Sequence, residues 1–178
     1  MNRSTIPTRL SLAAAAALML ATALPAEAGR LATAHRNAEG GVTAARGAAR
    51  AGDAGEMARG RRIVTDGQGN AAVTSGAAVD GAQGGRFRRA GRTTRAADGS
   101  VRHDSGMTAS NAKGSVESAG HLDRDADGQV TQNRTTTATS AATGNSVQRD
   151  TSYSKDTGVQ RTTTCFDAGG AAITCPSK

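Results

Sequence analysis

The chain has 178 residues, a formal net charge of +7, two phenylalanines, one tyrosine and no tryptophan. So few large apolar side chains exclude a conventional compact core, and with it the buried, rigid constellation that catalysis needs. Net charge is nevertheless small for the length, so the signature of a wholly disordered chain is incomplete.

Residues 1–28 read as an export signal. Arg3 and Arg9 make a basic start, Leu10 to Ala23 form an apolar stretch, Pro25 breaks it, and Ala26-Glu27-Ala28 supplies the small residues of a cleavage site. The apolar stretch is shorter than the roughly 20 residues of a spanning helix. The mature chain is therefore expected to be periplasmic or secreted, with no transmembrane segment. Its lack of helical periodicity and core makes an enzyme the poorest fit.

Residues 29–95 are basic and rich in Ala, Gly and Arg, with twelve arginines against five acids. The first part, 29–60, is expected to be flexible, as coil or frayed short helix. Across the mature chain a glycine returns about every 15 residues, at Gly40, Gly55, Gly69, Gly84, Gly99, Gly114, Gly128, Gly144, Gly158 and Gly170. Seven of these ten have Ala two residues earlier, and an apolar residue usually follows: Val42, Met57, Phe87, Val101, Val116, Val130, Val147 or Ile173. Such a metre marks a repeat architecture. Glycine accepts positive φ, so each beat is a hairpin-turn candidate. Weaker half-beats at Gly47, Gly76, Gly91, Gly106 and Gly120 suggest a turn there too, with strands of only four to six residues.

The expected fold is an all-β repeat, an antiparallel meander of short strands over residues 96–178 with the first repeats before it. Alternation of Val101, His103, Ser105 and Met107 on one parity supports strands. A β-solenoid or a largely disordered chain are the alternatives. The phase of the apolar residue after each glycine drifts, which counts against a solenoid.

Three sites stand out. Arg86, Arg88, Arg89, Arg92 and Arg95 surround Phe87, the densest cationic point of the chain. Guanidinium groups bind phosphates and carboxylates, so the expected partners are anionic envelope or extracellular polymers. A dedicated nucleic acid partner is not expected, since one phenylalanine makes no stacking platform. Asp123, Asp125 and Asp127, followed by Gly128 and Val130, match the first half of an EF-hand calcium loop, but Arg134 stands where its bidentate glutamate belongs. A calcium-responsive module is the alternative to the structural or interaction role; no other cofactor is implied. Cys165 and Cys175 flank Gly170 and, in an exported chain, read as a disulfide closing a C-terminal hairpin, for example with 169–171 as its loop. The runs Thr135–Thr137 and Thr162–Thr164 begin at different distances from their glycines, so no flat threonine array is expected.

The C-terminal two-thirds is similar to short exported Gly/Thr/Arg-rich repeat proteins of bacteria. Ala97-Asp98-Gly99-Ser100-Val101 and Asp156-Thr157-Gly158-Val159 resemble the strand–turn units of YD-repeat (RHS-type) shells. The repeating tyrosine of those shells is missing, Tyr153 being the single one here, so a closed shell is not implied. The resemblance implies strand–turn repetition and no transferable activity.

Overall fold

The computed structural model describes residues 28–176; the expected export signal, apart from its last residue, lies outside the described residues. Eleven strands follow one another: β1 (Gly29–Arg36), β2 (Val42–Gly52), β3 (Gly55–Thr65), β4 (Ala71–Gly81), β5 (Arg86–Arg95), β6 (Val101–Asn111), β7 (Gly114–Arg124), β8 (Val130–Ser140), β9 (Ser146–Ser154), β10 (Gly158–Phe166) and β11 (Ala172–Ile173). Each pairs antiparallel with the next in a single sheet, and its first and last strands do not meet. Among the described residues no helix is present, so none is long and apolar enough to cross a membrane.

All ten glycine beats sit at positive φ, as hairpin turns require. Five of the ten links are three-residue loops in which a tight turn ends in a left-handed glycine. In the link from β7 to β8, Gly128 N–H donates to Asp125 O (3.1 Å) and Asp125 N–H to Gln129 O (3.0 Å). The same pattern holds at 37–41, 81–85, 96–100 and 167–171. The Ala two residues before the glycine occupies the first turn corner, which explains that recurrence. Asn37, Asp125 and Asp167 each accept, through Oδ1, the N–H four residues on, at 2.8, 2.8 and 2.9 Å. Two links are shorter: Asp53-Ala54 and Ala112-Lys113 connect strands whose first residue is the glycine itself. A Cβ at Gly114 would meet Thr139 O at 2.1 Å, so that position requires glycine for space as well as for φ.

Two expectations are corrected. The half-beat glycines are not turns. Gly47 and Gly60 pair at mid-strand, as do Gly60 and Gly76, and β2 to β10 run 9–11 residues rather than four to six. None of these glycines has positive φ; glycine permits a turn without imposing one. Residues 29–60 form β1, β2 and most of β3 rather than coil or helix. The backbone groups of β2 and β3 pair on both sides and those of β1, the edge strand, on one; such a ladder needs no apolar side chains.

The drifting phase of the apolar residues is resolved by loop length. In an antiparallel ladder, residues directly opposite share a face, and alternate residues of a strand share it too. The cross-strand register is unbroken from strand to strand. It places Val42, Met57, Phe87, Val101, Val116, Val130 and Val147 on one face, whatever their distance from the glycine.

Cys165 and Cys175 form the expected disulfide, with Cα atoms 5.2 Å apart. Its hairpin turns over 167–171, not 169–171, and Cys165 lies opposite Ile173 rather than Cys175. With the Asp167 carboxylate capping the turn, its centre falls at Gly169, one residue earlier than symmetry between the cysteines suggests. Burial is sparse: among the described residues only Gly41, Thr43, Ala78, Ser118 and Cys165 are buried. The sheet is one layer with water on both sides.

Candidate functional site

The register sorts the side chains by chemistry. The face that carries Val42 and Phe87, here the cationic face, holds arginines in two adjacent rows across mid-sheet. One row has Arg46, Arg61, Arg134 and Arg161; the next has Arg30, Arg59, Arg89 and Arg149. Arg36, Arg50, Arg95 and Arg124 lie on the same face nearer the strand ends. No strand residue of this face is a carboxylate, and all twelve guanidinium groups except that of Arg134 belong to exposed residues.

Arg134 is laid flat: Nη1 donates to Ser118 Oγ (2.9 Å) and Nη2 to Ser105 Oγ (3.0 Å). Ser118 in turn shares a hydrogen bond with Thr136 (2.9 Å). His103 meets Thr93 at 2.8 Å on this face.

Rows of apolar side chains border the arginines. On one side run Ile63, Val73, Leu122, Tyr153 and Val159; on the other Met57, Val79, Phe87, Val116, Val147 and Ile173. Strands lie about 4.8 Å apart and same-face rows about 7 Å apart. Neighbouring guanidinium groups therefore repel one another mildly, by under ~1 kcal/mol per pair in water. An anion laid over several of them relieves that repulsion.

The opposite face is different. It carries Glu56, Asp80, Asp104, Glu117, Asp123 and Asp150 among Gly, Ala, Ser and Thr. Among the described residues every ion pair lies there: Asp80 with Arg86 (3.7 Å) and Arg88 (2.5 Å), Arg102 with Asp104 (3.1 Å) and Asp123 (3.8 Å), and His121 with Asp123 (3.8 Å). Asp150 accepts from Thr135 (2.6 Å) and Gln148 (2.8 Å), which hold its carboxyl below the usual range, Thr135 foremost.

The five-arginine cluster of β5 is thus divided. Arg89 and Arg95 join the cationic face beside Phe87, whereas Arg86, Arg88 and Arg92 point the other way. Arg86 and Arg88 are matched by Asp80, and Arg92 lies opposite Asp104. Adjacency in sequence grouped residues that the pleat separates. The arginines missed by sequence reasoning, such as Arg46, Arg59, Arg61 and Arg149, are spread over strands far apart in the chain. Alignment on the turn glycines does not reveal them: Arg46, Arg59 and Arg61 lie six, four and six residues after theirs but Arg149 lies five after Gly144, so only the register brings them to one face.

Asp123, Asp125 and Asp127 are not gathered into a cage. Asp123 faces Arg102 and His121, Asp125 caps its own turn, and Asp127 occupies the exposed corner after it. Among the described residues no group of three acidic, His or Cys side chains is placed to hold a metal. The half-loop motif is the turn chemistry of the repeat. The two threonine runs do share three rows, but Asp150, Arg149 and Gln148 of β9 stand between them and interrupt any array. A shallow cleft of about 600 Å³ lies at one end of the strands, lined by Val64, Asp66, Asn70, Thr94, Arg102 and Asp123 among others. It is open and of mixed charge. No protein-family model, curated protein or solved structure matches the chain.

Proposed function

We propose that this protein is an exported, non-enzymatic binding platform that holds anionic material of the cell envelope or its surroundings against one face of a β-meander. The observation that carries this reading is the segregation itself: twelve arginines and no strand carboxylate on one face. A solvated charge coat kept only for solubility has no reason to sort by face. The disulfide supports an oxidising compartment, in line with the export signal.

Retention of the oxidised mature chain on dextran sulfate, against neutral dextran, tests the proposal. Binding at 50 mM salt that weakens steeply by 500 mM is expected, since contacts between exposed charges are screened. Equal retention on both supports would overturn it.

A further inference from the structure

We propose that the cationic face docks on an anionic lipid layer, its central arginines on headgroup phosphates and its bordering apolar rows at the acyl boundary. This rests on the anion-binding reading above and names the partner.

Of the eighteen Val, Ile, Leu, Met, Phe and Tyr residues of the mature chain, all but Leu31, Val64 and Phe166 lie on the arginine face. A soluble polyanion would satisfy the guanidinium groups yet leave those side chains in water. A lipid surface satisfies both, because basic groups stay with the headgroups while apolar ones enter below them. A second copy face to face is disfavoured, since it would oppose twelve arginines with twelve.

The order of the rows also matters. A strand that crosses a bilayer carries its apolar band at mid-length; here Arg59 and Arg61 occupy mid-strand, with Met57 and Ile63 outside them. Arginines at mid-depth are strongly disfavoured, so the sheet lies on the layer rather than through it.

Tyr153, on this face and the only tyrosine in a chain without tryptophan, is a built-in reporter. The test uses the oxidised mature chain with vesicles of phosphatidylglycerol in phosphatidylcholine, and of phosphatidylcholine alone, both with brominated acyl chains. The proposal predicts flotation with the anionic vesicles only, and quenching of most tyrosine emission. The pair Phe87→Thr and Val116→Thr should weaken vesicle binding about tenfold or more, while Val64→Thr on the other face leaves it unchanged. Circular dichroism confirms that each variant keeps its sheet.

Flotation without quenching, or retention on dextran sulfate without flotation, would overturn the lipid proposal and leave the anion-binding reading standing. Failure on both supports would sink both. Concentration-dependent sedimentation without lipid, abolished by Phe87→Thr, would overturn it in favour of stacked copies.

Discussion

On one side of β5, Phe87, Arg89 and Arg95 stand among valines and further arginines without a carboxylate; on the other, Arg86 and Arg88 converge on Asp80 and Arg92 lies opposite Asp104. Both sets come from one stretch of ten residues. The contrast shows that in a single-layer sheet the unit of function is the row across strands. Charge balance along the chain, which assigns the basic surplus to residues 29–95, says little about what a partner meets. Arg134, Arg149 and Arg161 belong to the cationic face although they lie in the acidic half.

The two faces exist only while the meander holds, so the largest effect should come from breaking it. Gly114→Ala would force a Cβ against Thr139 O, and a loss on the order of 3 kcal/mol is expected in urea unfolding. Reduction of Cys165–Cys175 comes next, at roughly 2–3 kcal/mol. It should also expose the amides of β11 to hydrogen exchange and remove Ile173 from the apolar row. Gly99→Ala meets open space and suffers only from φ of +87°. Its cost should be about 1–2 kcal/mol, with binding to dextran sulfate kept.

A finer test places one carboxylate on each face. Thr163→Glu lies opposite Arg149 on the cationic face, and its neighbour Thr162→Glu lies opposite Asp150 on the other. The first should weaken dextran sulfate binding about fivefold, for an effect near 1 kcal/mol, and the second should leave it nearly unchanged.

The smallest effect is that of pH. Asp66 is held below its usual value of 3.8 first by the Asn70 side chain, Asp98 by the Ser100 N–H, and Asp150 by Thr135. Depressed folded-state values mean that these carboxylates stabilise the sheet above pH 3.8 and lose that contribution as pH falls through the still lower folded values. A melting series from pH 6 to pH 2.5 should show a small decline confined to its acid end. An increase in stability there would contradict the turn-capping roles.

Much of the fold was legible in the sequence because the hairpin turns have strict local chemistry. Gly99 and Gly128 must take positive φ, and Asp98 and Asp125 cap their links. Strand length was not legible, because Gly47 and Gly76 at mid-strand look the same in sequence as glycines in turns. The face was legible only in part. Val101, His103 and Met107 show their parity within one strand, but whether Phe87 joins Val116 depends on loop lengths that fix the register. The Asp123-to-Asp127 motif carries two readings for a physical reason, since a cation loop and a capped hairpin ask for the same Asp and Gly spacing.

The most direct measurement compares two triple variants of equal charge on dextran sulfate. Arg59→Gln, Arg61→Gln and Arg89→Gln empty part of the cationic face; Arg62→Gln, Arg86→Gln and Arg92→Gln remove as many guanidinium groups from the other. At about 1 kcal/mol per contact, the first triple should bind roughly 100-fold more weakly than the parent chain, and the second within about threefold of it. Equal losses in the two triples would show that net charge, and not the face, governs binding.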